Sequence, residues 1–186
     1  MRRPRRKFPL VLALTTAALA ANAAPALAGS CDYGYAPADR TTAKKLRLAT
    51  LCLLNRERAR HGLHRLTVNP HLRKAARWHA ADMVSNRYFA HVSLAGSKPS
   101  DRIRAAGYMR GIRHWYVGEN LVWGAGPFSR PVDRVRALMH SPEHRANMLQ
   151  TSFREVGIWV SRRMPVHASY PTGATYVINF GVATTY

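Results

Sequence analysis

Two apolar periods divide this chain, and the point where one gives way to the other restricts its fold more than any composition figure. From Thr42 to His61 the residues Leu46, Ala49, Thr50, Leu53 and Leu54 recur at three- and four-residue steps, the spacing of one buried helix face. Gly62 is placed to end that helix. Asn69 and Pro70 supply a cap and a first helical residue for a second helix, running to about Asn86 with Leu72, Ala75, Ala76, His79, Ala80 and Met83 on one face. Ser100 is expected to cap a short third helix through Ala106, and Pro131 to His140 and Pro142 to about Leu149 carry the last helical stretches. After that the period changes. Glu155 to Val160 and Thr175 to Val182 are rich in β-branched and aromatic residues and read as paired antiparallel strands, with Val117 to Val122 as a further strand. The expectation is an α+β domain, a three-layer α-β-α sandwich around a small antiparallel sheet.

The first 28 residues belong to export rather than to this fold. Arg2, Arg3, Arg5, Arg6 and Lys7 precede an apolar run from Leu10 to Ala21, and Ala26-Leu27-Ala28 supplies a cleavage site, the order of a secretory signal. The apolar run is far shorter than the roughly 20 residues that cross a bilayer. The pair Arg5-Arg6 also gives a partial twin-arginine signal, so both export routes stay open. Cleavage after Ala28 leaves 158 residues, one domain's worth, and lowers the formal charge from +20 to +15. Residues 29–45 then form an extended leader before a domain over 46–186.

Twenty-four of the 29 basic residues are arginine, spread along the chain, which argues against one nucleic-acid groove. Such a charge is either a solvated surface or an attraction to anionic envelope polymers. The only cysteines, Cys31 and Cys52, read as one disulfide in an oxidising compartment, worth about 3 kcal/mol in the loop-entropy model. Two separate buried thiols are the alternative.

Reactive groups concentrate in three segments: Phe89-Ala90-His91, Gly118-Glu119-Asn120 and Ser141-Pro142-Glu143-His144. His144 falls in the first turn of its helix, where the positive dipole end favours neutral imidazole, the form that ligates metal or accepts a proton. Glu119, on an apolar strand, needs a partner: one of the arginines, or His91 and His144 across a cleft, as metal ligand or general base. His79, on the apolar face of helix two, reads as a core residue or one that backs the site.

Together with Leu54-Asn55-Arg56-Glu57-Arg58-Ala59, Trp78-His79-Ala80-Ala81-Asp82-Met83, Phe153-Arg154-Glu155-Val156-Gly157-Ile158 and Asn179-Phe180-Gly181, these segments resemble bacterial CAP-domain proteins, the cysteine-rich secretory, antigen five and pathogenesis-related group. The resemblance implies a secreted α-β-α sandwich whose cleft gathers His91, Glu119 and His144, with Asn120, Asn147 and Glu155 as supporting residues. It also implies a fourth, acidic cleft residue, for which Asp133 and Glu143 are the candidates here. Three functions follow as expectations. One is a secreted, monomeric binding module holding a divalent metal, zinc first, on His91, Glu119 and His144, or a lipid- or sterol-like ligand. The others are a metal-dependent hydrolase on the same residues and a cationic binder of cell-envelope polymer. No Ser stands in a G-x-S-x-G turn and neither cysteine looks catalytic.

Overall fold

The computed structural model describes residues 31–184; the expected signal segment and its cleavage site lie outside the described residues. Helix α1 (Ala43–Arg60) starts at Thr42, whose side chain accepts from the Lys45 N–H, and ends at Gly62 in a left-handed conformation, φ 67°. Helix α2 (Pro70–Ser85) is capped by Asn69, whose side chain accepts from the N–H groups of His71 and Leu72. Helix α3 (Pro99–Ala105) begins two residues earlier than expected. Lys98 is its cap residue, Pro99 opens it, and the Asp101 carboxylate accepts from the Lys98 N–H, so Ser100 lies inside the first turn. Helices α4 (Pro131–His140) and α5 (Pro142–Leu149) run as the spacing indicates.

The strands are β1 (Thr67–Val68), β2 (His114–Ala125), β3 (Glu155–Ser161) and β4 (Gly173–Thr184), in sheet order β1-β3-β4-β2. β4 pairs antiparallel with both β2 and β3, but β1 runs parallel to β3, which makes the sheet mixed rather than purely antiparallel. Two residues carry no readable alternation, so only pairing with Glu155 and Val156 defines β1.

Alternation in β3 and β4 builds two cores. Val156, Ile158, Val160, Tyr176, Ile178 and Phe180 meet Leu46, Leu53 and Leu54 of α1, with Val135 and Leu138 of α4 and Met148 of α5. On the other face Val177 and Leu121 meet Ala76, Ala80 and Met83 of α2, and Leu72, Ala75 and Ile103 form a neighbouring cluster with α3. The result is the three-layer α-β-α arrangement. Helix α2 sits directly on β3: a methyl group at Gly157 would lie 2.1 Å from backbone atoms of Leu72 and Arg73, so only glycine permits that approach.

Over its described residues the leader is not extended, and its last three, Ala43 to Lys45, are the first turn of α1. It turns at residues 32–35, forms a 3₁₀ turn at Ala38–Arg40, and is tied to the domain by the Cys31–Cys52 disulfide. It also donates the Ala38 N–H to Ser129 Oγ (2.9 Å) and accepts at Gly34 from the Val132 N–H (3.0 Å). Unpaired backbone groups in such a segment need partners, and this folding back supplies them. Among the described residues no helix is long and apolar enough to cross a membrane.

Candidate functional site

β2 presents Glu119 and Asn120 to opposite faces of the sheet, and this alternation organises the site. Glu119, its side chain 1% exposed, lies on the α2–α3 side. Arg102 of α3 meets it with Nη2 at 3.0 Å from Oε2 and 3.2 Å from Oε1. His91 Nδ1 is 2.9 Å from Oε1, and His79 Nε2 lies 4.0 Å away. A buried carboxylate is costly unless paired, and the guanidinium supplies charge and hydrogen bonds together. Arg102 is therefore a site residue. No local signal marks it among 24 arginines, because the pair is made between two elements that only packing brings together.

The same groups hold the segment that carries His91. His79 Nε2–H donates to the Ala90 carbonyl (2.9 Å), while Arg102 donates to the carbonyls of His91 (2.9 Å) and Ser97 (2.6 Å). His79 is fully buried, and its Nδ1 lone pair has no hydrogen-bond partner among the described residues. Burial pushes its pKa below the usual imidazole value, and nearby Arg102 adds to this against the opposing pull of Glu119 and Asp82.

His144 is the third residue of α5. Its Nδ1 lies 2.8 Å from Ser141 Oγ, so the Ser141 hydroxyl serves the imidazole instead of capping the helix. Burial lowers the His144 pKa, His91 adds a smaller effect in the same direction, and Glu143 opposes both. Asn120, fully buried on the other face of β2, donates to the His144 carbonyl (2.8 Å), and Asn147 donates to Asn120 Oδ1 (2.9 Å). These amides lock α5, and with it His144, onto the strand that carries Glu119.

Glu155 lies elsewhere, at the start of β3, where it accepts from Tyr108 (2.7 Å) and Asn69 (2.8 Å). Asp133 pairs with Arg130 (2.6 Å) beside the start of its own helix, and Glu143 is exposed beside His144. The nitrogen of His144 that an acid would engage is met by a hydroxyl.

Among the described residues no three His, Cys, Asp or Glu side chains form a group that could hold a metal ion. The carboxylate is the misfit. Both Glu119 oxygens are held by Arg102, and one also by His91. The imidazoles do fit: in each, Nδ1 is engaged while Nε2 has no hydrogen-bond partner among the described residues. A carboxylate behind a histidine is the arrangement that orients a metal-ligating ring.

His79 and His144 also set a pH dependence. Their folded pKa values lie below the unfolded value, so the unfolded chain takes up protons first as pH falls. Stability is expected to be constant above the unfolded histidine pKa of about 6.5 and to decline below it, toward the folded values. Urea denaturation at a series of pH values checks this. The decline should be smaller in His79→Gln, and an unchanged midpoint down to about pH 5 would count against buried neutral histidines.

The α-β-α sandwich, with Glu119 and Asn120 on opposite faces of β2, is the setting in which the family match falls. Residues 51–165 match the model of the cysteine-rich secretory protein family, CAP, and the chain belongs to that family. Over 106 residues it is 34% identical to the uncharacterized protein YkwD of Bacillus subtilis (strain 168), covering 57% of this chain and 38% of that one. It is 29% identical over 126 residues to the uncharacterized membrane protein YlbC of the same strain, covering 67% of this chain and 33% of the relative. The chain thus spans a third to two fifths of the length of these curated relatives. An outer surface protein of Borrelia burgdorferi shares the fold, with TM-score 0.63 and 22% identity over 77% of this chain and 97% of that one. An extracellular SCP-domain protein of Bacillus anthracis superposes with TM-score 0.57 and 26% identity, over 75% of this chain and 43% of its own.

Proposed function

We propose that this is a secreted CAP-domain binding module whose cleft takes a divalent transition metal, zinc first, on Nε2 of His91 and His144. Glu119 then acts as the residue that orients His91, not as a third ligand. The observation that carries the reading is the matched state of the two rings, each with Nδ1 engaged and Nε2 free of any described partner. The lowered pKa of His144 keeps that ring neutral and ligating near pH 7. When bound, the metal would supply Lewis acidity and exchangeable water positions.

The hydrolase reading needs a free carboxylate base. A Glu119 that is buried and ion-paired with Arg102 is not placed to take a proton from water. For a lipid-like ligand, the depression beside β1, where Leu48, Leu51, Val68 and Ile158 are joined by Lys44, Arg47 and Arg73, offers about 110 Å³. That is small against the roughly 300 Å³ at which ligand pockets begin.

Calorimetric titration of the purified protein with zinc near neutral pH tests the proposal. Binding is expected in the parent, lost in His91→Ala and His144→Ala, and weakened about tenfold in Ser141→Ala. It should also weaken as pH falls through the histidine range. Equal heats for the parent and both histidine variants would end the metal reading.

A further inference from the structure

The C-terminal turn of α2 and the loop joining β3 to β4 border an open depression of about 420 Å³, whose lining includes none of His91, Glu119 and His144. Arg87, Arg162, Arg163, His167 and Tyr170 line it. Among the described residues no carboxylate forms an ion pair with any of these three arginines. Arg162 is anchored, donating to the carbonyls of Ala38 (2.6 Å) and Asp39 (3.4 Å). The Arg163 carbonyl accepts from Thr175 (2.7 Å), which pins the loop to β4. Arg87 Nη1 donates to His167 Nε2 (3.4 Å), which ties the two side chains to one corner. These side chains are exposed and have no carboxylate partner among the described residues, so an anion entering here meets several free guanidinium donors.

The backbone supplies a second, independent observation. Arg87 sits just past the end of α2 with φ 53°, the left-handed position of a helix-ending turn in which the Tyr88 N–H donates to the Met83 carbonyl (3.1 Å). The same chain places glycine in that conformation after α1, at Gly62, and after α3, at Gly107. At the end of α2 it carries an arginine in a conformation that costs any side-chain-bearing residue, and that side chain lines the depression.

We propose that this depression is a binding site for a phosphorylated polyol or sugar. The phosphate is held by the guanidinium groups of Arg87 and Arg163 with His167 beside them, and the polyol lies along Tyr170. Planar guanidinium forks match the several acceptor oxygens of a phosphate. The volume falls in the range of small-molecule sites and exceeds what a bare phosphate fills. The ligand can be a single unit or one link of a phosphodiester polymer, and the probes separate these sources.

Glycerol 3-phosphate and poly(glycerol phosphate) are titrated into the purified protein, with chelator present so that the result does not depend on the histidine cleft. Arg87→Gly relieves the backbone, so its melting temperature is expected to rise by about 2–4 °C while affinity falls at least tenfold. Arg163→Gln should weaken binding with the melting temperature unchanged. Arg110→Gln removes the same charge from an exposed loop and should leave binding unaltered. Binding of both probes with this pattern assigns the site to the single unit, and binding of the polymer alone assigns it to a chain. No binding of either probe, equal affinity in Arg87→Gly and the parent, or an equal loss in Arg110→Gln would overturn the proposal.

Discussion

Arg58→Met is expected to lower the unfolding free energy by about 4–5 kcal/mol, the scale reserved for the loss of a buried polar network. Arg58 is fully buried on α1. It donates to four carbonyls, those of His64 (2.8 Å), Met148 (2.8 Å), Gln150 (3.0 Å) and Phe153 (3.2 Å). Three of these belong to the last turn of α5 and the chain that leads into β3. One guanidinium thus closes the end of α5 while four dipoles compensate its charge. Methionine fills much of the same volume but takes this donor from the carbonyls of His64, Met148 and Gln150, while Phe153 keeps a bond from Arg154 (3.0 Å); an unmet buried acceptor costs roughly 1–3 kcal/mol. Lysine would restore charge but not the planar fork that reaches carbonyls on both sides. Denaturant unfolding measures the loss. Because α5 carries His144, zinc affinity should fall in Arg58→Met even though Arg58 touches no proposed ligand. A midpoint within experimental error of the parent would show that water replaces the guanidinium at no cost.

The second large effect concerns the ion pair under His91. Arg102→Met leaves the Glu119 carboxylate buried without its counter-charge, and breaking one side of such a pair costs about 3–5 kcal/mol. Relief comes from a proton, taken either by the carboxylate or by the neighbouring His91 or His79, so the variant should lose stability most at high pH and recover part of it at lower pH. This trend opposes the parent's decline in acid, which makes the pH profile a sharper readout than a single midpoint. Arg102→Met combined with Glu119→Gln should be more stable than Arg102→Met alone, because no buried charge remains. Equal stability of the single and double variants across pH would mean that Glu119 is not charged in the fold, and the account of how His91 is oriented would fall with it.

Short-range patterns settle more of this protein than its chemistry does. The three-residue and four-residue steps through Leu46, Ala49, Thr50, Leu53 and Leu54, and through Leu72, Ala75, Ala76, His79, Ala80 and Met83, specify α1 and α2 because a buried helix face follows that spacing. Proline after a capping residue marks where α2 begins, and glycine marks where α1 ends. With only two cysteines in the chain, a single disulfide had one pairing available. Glu119 stands out as a reactive position in the sequence, since a carboxylate amid apolar strand residues must find a partner, and His91 is one of the groups it meets.

Its principal partner was not legible. Choosing Arg102 from 24 arginines depends on α3 packing beside β2, a contact between elements that no local period encodes. The two-residue strand β1 exists only through its parallel pairing with β3, and Ser141 looks like a cap until its hydroxyl is seen on His144. Arg58 reads as one more surface charge on a helix, yet four carbonyls converge on it only once α5 and β3 close around α1. Arg87 and Arg163 are far apart in sequence and become one basic depression where the end of α2 meets the β3–β4 loop. Apolar periodicity is local and each helix or strand declares it alone. A charge has no direction until the tertiary structure decides what stands opposite it.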